Sequence, residues 1–487
     1  MGHPSSVGSR EAVRRTGSAQ PRPSGEPPRH SGIRARWPLI ALVVLSLLVL
    51  VPVATHDFRV LKPYGDQTSH LYGALSVAHD SHTLNFDRLD AQRWTELQWV
   101  PEPFVLFFQR YDDGWAASKP YGYPVYLSPF IAAFGAVTGV GVGNALLLAA
   151  LLAFSLWLAL RRLDPLTAAL TVAAFYFGSY IYMYAYPVQV ELFEAALVLA
   201  AFGGAFAFRS TGRVFWAVAS VVAMAFGVVE KAPFLLLFAP LAAVMLWELR
   251  RRRVVMMLVL VAGLATVALS ALPYLKYSDG DSFTPYAGAR YQLLPIDGRH
   301  APWDGGVINI DYIFKGADEG AIAKRAISGK LLDRFESLGY FVAGRYTGLL
   351  VTAPFALLLL GAILLRLPRS SRWAVAAIAG ILAYIAFYIV VFPTNYYGGG
   401  QSLGNRYFIQ IAPAVLVTAL FAPLASRTFR MFAIAGVGLS LLFGWPQHRA
   451  SSDAYIEMIR TSQAQRLLPI EANQDYTWIF RQKPPNW

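Results

Sequence analysis

The amino-acid sequence predicts an all-α polytopic membrane protein, with about eleven transmembrane helices and short juxtamembrane helices in its first long loop. Three observations predict it. Hydrophobic residues make up 56% of the 487 and charged residues 15%, with a mean hydropathy of +0.43, a balance that small aqueous domains could not bury. Windows of about 18–20 residues nearly free of charge recur along the chain, long enough for a helix to cross the hydrocarbon core and too long for barrel strands. Arginines cluster in alternate connections between these windows, the pattern of loops retained on the cytoplasmic side.

In chain order, residues 1–36 form a basic tail of Arg, Pro, Ser and Gly, expected to be disordered and cytoplasmic. The uncharged run 37–54 follows. A cleaved signal peptide is the alternative, but the basic region is long and small residues are poorly placed for cleavage, so an uncleaved anchor is expected. Further apolar runs lie near 143–160, 166–183, 191–208, 214–229, 233–247, 254–272, 346–365, 373–392, 407–425 and 430–446, giving a transmembrane domain over 37–446. One set of connections, from Arg161-Arg162 to Arg427 and Arg430, holds thirteen arginines against two acids, Asp164 and Glu248. The other set is mixed or nearly uncharged: 186–190, Glu230-Lys231, 273–345, 393–406 and a short tail, 447–487.

If each run crosses once, every arginine cluster is cytoplasmic, provided that 123–139, with two prolines, does not fully cross. Residues 55–122, 273–345 and 393–406 are then extracytoplasmic loops, as is the tail. Tyr176, Tyr180, Tyr182, Tyr184 and Tyr186 are expected either at the outer interface or in plain packing.

A formal charge of +13 invites a nucleic-acid partner, but the basic residues sit in the tail and in short loops, so none is expected. The chain has no cysteine, which excludes disulfides, thiolate metal sites and cysteine nucleophiles. No His or acid spacing marks a metal site, and no cofactor is expected.

The long outer loops hold the candidate chemistry. Asp66 opens a short amphipathic segment with His70 one turn on; a carboxylate there can serve as general base, or merely cap a helix. Lys119, among Tyr121, Tyr123 and Tyr126, suits a lipid phosphate or simple snorkelling. Glu191 and Glu194, at i and i+3, lie at an outer helix mouth where acids are costly and need a partner or a role. Glu230 and Lys231 can pair with each other. The glycines 398, 399, 400 and 404 precede Arg406 and Tyr407; free amides plus a guanidinium can form an anion site, with a flexible turn as the alternative.

Taken in order, the early outer-loop Asp, the KP-aromatic segment Lys119-Pro120-Tyr121, the short-looped spans, the acid at an outer helix mouth and the late Gly-Gly…Gly-Asn-Arg-Tyr turn resemble the glycosyltransferase C (GT-C) superfamily. The nearest branch includes protein mannosyltransferases and the lipid A aminoarabinose transferase. The resemblance covers most of 37–446 and rests on motif order and common sidedness. It implies transfer of a sugar from a polyprenyl-phosphate donor to a glycan, lipid or protein acceptor on the extracytoplasmic face, within membrane lipid. It also implies Asp66 as catalytic base, and Lys119 and Arg406, with Gly399 and Gly400, holding the donor phosphate. His70, Tyr123, Glu191, Glu194, Tyr407 and Arg345 remain as substrate contacts. Members often carry Asp-Glu where this chain has Asp66-Gln67, leaving a single carboxylate. The rival readings are an outer-face polyprenyl-glycan polymerase or ligase using 273–345, and a secondary transporter, which would want ionisable residues at the midplane.

Overall fold

The computed structural model describes residues 33–61, 66–79, 85–86, 106–111, 114–117, 119–277, 290–293, 307–309, 331–393, 396–398, 404–444 and 467–469. Most of the basic tail and most of 447–487 lie outside these residues, although the first helix, Ile33–Ala54, begins ahead of the uncharged run.

Each of the eleven apolar runs contains a helix: Ile33–Ala54, Ala136–Leu160, Pro165–Tyr176, Glu191–Thr211, Val214–Glu230, Phe234–Leu249, Arg253–Tyr277, Pro354–Arg366, Arg372–Val391, Arg406–Phe421 and Ser426–Leu439. Among the described residues, six helices are long and apolar enough to cross a bilayer, and further apolar helices are shorter. This is a multi-pass helical membrane protein. Local chemistry sets several helix starts. Asp164 accepts from the Thr167 amide with Pro165 in the first position, Ser371 accepts from Ala374, and Asn405 accepts from Phe408.

The 123–139 stretch is broken. Helix Gly122–Phe134 ends at Gly135, whose φ is 78°, and Ala136–Leu160 begins immediately after. The thirteen residues of helix Gly122–Phe134 rise about 20 Å, much as the twelve of Pro165–Tyr176 do. This helix packs on Asp66–His79, with Tyr123, Leu127 and Ile131 buried against Leu71, Tyr72 and Leu75.

The two long loops add an element absent from the all-helical sequence reading, a five-stranded antiparallel sheet in the order β1-β3-β2-β4-β5. β1 (Asn85–Phe86), β2 (Leu106–Tyr111) and β3 (Gly114–Ala117) come from the first loop, and β4 (Arg290–Leu293) and β5 (Val307–Asn309) from the second. β2 pairs with β4 in the register Leu106↔Leu293 to Gln109↔Arg290. Strands hydrogen-bonded in one sheet share one aqueous side, so an even number of crossings separates the loops. Six apolar runs between them satisfy this if each crosses once; a seventh crossing by 123–139 would not.

The arginine-rich connections likewise meet at one end of the bundle. Arg162 donates to the Ala422 carbonyl (3.1 Å), Arg209 to Ser371 Oγ (2.7 Å), and the Trp373 indole to Glu248 (2.5 Å). The tyrosine run divides: Tyr176, Tyr180 and Tyr184 are fully buried in the core, so for these three packing replaces interfacial anchoring. Helices approach closely where small residues face a neighbour; a Cβ at Gly380 would fall on the Leu237 carbonyl oxygen. Gly380→Val is expected to cost about 1–3 kcal/mol or more by overpacking. The measurement is the thermal midpoint in detergent, which should fall by several degrees; an unchanged midpoint contradicts this packing.

Candidate active site

At the end of the bundle opposite the arginine clusters, three residues remote in sequence meet. The Asp66 carboxylate accepts from Lys119 Nζ at 2.7 Å through Oδ1 and from Arg406 Nη1 at 3.1 Å through Oδ2. Arg406 also lies 3.5 Å from Glu191 Oε1. Each arrives from a different element. Asp66 is the first residue of helix Asp66–His79, Lys119 precedes helix Gly122–Phe134, Glu191 opens Glu191–Thr211 and Arg406 opens Arg406–Phe421. Along helix Glu191–Thr211, Glu191 and Arg209 stand about 27 Å apart, close to the thickness of a hydrocarbon core.

A second set continues inward. Lys231 Nζ lies 3.3 Å from Glu194 Oε2, donates to Gln410 Oε1 at 2.5 Å, and sits 4.6 Å from the Tyr407 ring centroid; the Tyr384 hydroxyl also donates to Gln410. Tyr407 stacks on Tyr388 with centroids 4.0 Å apart. Glu191 and Glu194, one turn apart on one helix, therefore face Arg406 and Gln410, one turn apart on another. The side chains of Asp66, Lys119 and Arg406 keep 26%, 16% and 20% exposure against 3% for Glu191 and Glu194, so the triad is the more accessible part of the cluster and the two glutamates the more buried. Among the described residues, Glu191 Oε2, Arg406 Nε and Gln410 Nε2 are buried without a hydrogen bond, leaving polar capacity for a ligand.

Burial pushes the Asp66 carboxyl up, but the charges of Lys119 and Arg406 outweigh it and hold the group far below the usual carboxylate range. Asp66 is an anion at any working pH, and a weak base while so paired. His70, buried edge-on against Tyr123, is driven down to about 3 by desolvation, with Asp66 opposing, and is neutral.

Of the residues singled out in the sequence, Asp66, Lys119, Arg406 and Glu191 come together, and Glu194 and Tyr407 join through Lys231. Tyr123 turns inward, donating to Asn144 Oδ1 at 2.8 Å, and Arg345 donates to the Leu468 carbonyl at 3.1 Å; their contacts go to packing and to the tail rather than to the charged cluster. Gly399 and Gly400 lie outside the described residues. Gly398, at φ 107°, admits the Arg406 side chain itself, since a Cβ would collide with Arg406 Cγ and Nε. Glu230 and Lys231 do not pair: Glu230 accepts from the Gly122 amide and Lys231 turns to Glu194. Lys231 and Gln410 are the cluster members missed as site residues. Gln410, one turn beyond Arg406 inside an apolar run, was the available signal for the face that carries both.

The fold and cluster thus define a helical membrane protein with a charged cluster at one end of the bundle. Among solved structures the chain is similar to the crystal structure of ArnT from Cupriavidus metallidurans bound to undecaprenyl phosphate, at 14% identity and a TM-score of 0.44 over 89% of this chain and 77% of that one. It is also similar to the Archaeoglobus fulgidus oligosaccharyltransferase in complex with zinc and sulfate, at 14% identity and a TM-score of 0.42 over 86% of this chain and 53% of that one. No protein-family model matches the sequence, and no curated protein matches it.

Because the folded-state His70 pKa lies below its ordinary 6.5, the unfolded chain takes up a proton that the folded chain refuses. That contribution to stability is present above pH 6.5 and lost as pH falls from there toward 3. Apparent thermal midpoints in detergent should decline over this window, and less steeply in His70→Gln; parallel profiles would contradict the assignment.

Proposed function

We propose that the chain is a membrane glycosyltransferase of the GT-C type, moving a sugar from a polyprenyl-phosphate donor to a glycan, lipid or protein acceptor on the extracytoplasmic face. The observation that carries this reading is the convergence of Asp66, Lys119 and Arg406, from chain segments up to 340 positions apart, in one partly exposed charged cluster at the end of an apolar bundle. Two cations at that depth fit a phosphodiester whose lipid tail stays in hydrocarbon. The motif order of the GT-C resemblance supports the same assignment.

In this mechanism the donor phosphate exchanges with Asp66 for Lys119 and Arg406. Relieved of one or both cations, Asp66 becomes a better base and takes the proton of the acceptor hydroxyl. The hydroxyl oxygen forms its bond to the anomeric carbon as the bond from that carbon to phosphate oxygen breaks, with inversion. The phosphate leaves as a polyprenyl monophosphate carrying one more negative charge than the diester. Lys119 and Arg406 gain most as that charge develops, so they favour the transition state over the bound donor. Glu191, Glu194, Gln410 and Tyr407 supply hydrogen-bonding and stacking groups beside the reacting sugar. Positive loops retained inside orient the amino terminus to the cytoplasm. A transporter reading is disfavoured, because the buried ionisable residues named above gather at helix ends rather than at the midplane.

The test is transfer from a panel of radiolabelled polyprenyl-phosphate sugars in membranes. Asp66→Asn should reduce turnover by about 10²–10⁴-fold with expression intact; normal turnover removes Asp66 from the chemistry. Lys119→Ala and Arg406→Ala should each depress donor use by about 10²–10³-fold. An effect confined to the acceptor would reverse the assignment of these cations.

A further inference from the structure

Lys119 sits on a short irregular segment, residues 119–121, yet its ammonium meets Asp66 at 2.7 Å. Something must hold that segment. Pro120 has no amide to donate and is buried. Helix Gly122–Phe134 has Tyr121 at its N-cap with no side-chain cap hydrogen bond, so its first amides need partners from elsewhere.

Those partners come from two distant helices. The Tyr121 amide donates to the Tyr274 hydroxyl (3.2 Å) and the Tyr121 hydroxyl to the Ser270 carbonyl (2.9 Å). The Gly122 amide donates to Glu230 Oε1 at 3.2 Å, across 108 positions of sequence. Glu230 is fully buried, the last residue of Val214–Glu230. A carboxyl oxygen on the amide that opens a helix satisfies one of the donors that the helix itself leaves without a partner. The fit is steric as well. A Cβ at position 122 would lie 2.8 Å from the Glu230 carboxyl carbon and oxygen and from Phe226 Cζ.

Resting on the donor-phosphate role proposed for Lys119, we infer that Glu230 is a positioning residue for this site: it caps helix Gly122–Phe134 in trans through the Gly122 amide and so sets Lys119 against Asp66 at the phosphate position. The neighbouring Lys231 faces the other way, to Glu194 and Gln410. One helix end thereby anchors both halves of the cluster, and Gly122 is the residue that lets the Glu230 carboxyl reach.

The experiment uses the full chain in detergent with two readouts. Because the native sequence has no cysteine, spin labels can be placed through Val125→Cys and Leu272→Cys, both exposed positions, to report the distance between helix Gly122–Phe134 and helix Arg253–Tyr277. The second readout is affinity for a long-chain polyprenyl monophosphate. Glu230→Leu and Gly122→Ala should broaden or shift the label distance and weaken binding by about tenfold or more, the loss of a buried hydrogen bond. Glu230→Gln, which keeps an oxygen acceptor, should leave the distance unchanged and binding within about threefold. The inference is overturned if Glu230→Leu and Gly122→Ala leave the distance as in the parent chain, or if Glu230→Gln is as impaired as Glu230→Leu. Failure of the phosphate reading looks different: Lys119→Ala would bind the monophosphate normally while the label distances still followed Glu230.

Discussion

One carboxylate shared by two cations organises the functional end of this protein. Asp66 draws Lys119 and Arg406 to within 3.1 Å, and in doing so joins the first loop, the segment before helix Gly122–Phe134 and the start of helix Arg406–Phe421. At the edge of an apolar bundle an unpaired charge is costly, and removing one partner of a buried pair typically costs about 3–5 kcal/mol. The pairing therefore constrains three backbones at once.

Behind the triad, charge alternates. Glu191 lies beside Arg406, Glu194 beside Lys231, and Gln410 links Lys231 to Tyr384. Acids in the first turn of Glu191–Thr211 and Arg209 in its last both complement the helix dipole, so the same helix stabilises a polar site at one end and an arginine-rich surface at the other. Closure between helices Glu191–Thr211 and Arg406–Phe421 is what brings i and i+3 acids against i and i+4 partners.

Sidedness follows from covalent and hydrogen-bond geometry. β2 and β4 share a sheet, so the loops that carry them share a compartment. Asp66 and Arg406 touch, so they do too. Arg162, Arg209 and the Trp373–Glu248 pair gather at the far end. Helix Gly122–Phe134 packs on helix Asp66–His79, whose first residue is Asp66.

Much of this was legible in the sequence, because hydrophobic length and arginine placement are local properties that a bilayer reads directly. The eleven apolar runs, the weakness of 123–139 as a span, and Asp66, Lys119, Glu191 and Arg406 as charges needing a reason could be seen residue by residue. Partner choice could not. Glu230 and Lys231 are adjacent in sequence but point to different helices, Tyr123 donates its hydroxyl to Asn144, and Gly398 makes room for the Arg406 side chain. The sheet was equally hidden, since its short strands pair across loops whose contacts are non-local. Sequence determined which segments enter the membrane and which charges stand at their ends. The tertiary structure alone decided which charge meets which, because that depends on how helices distant in the chain cross, and no local pattern encodes the crossing.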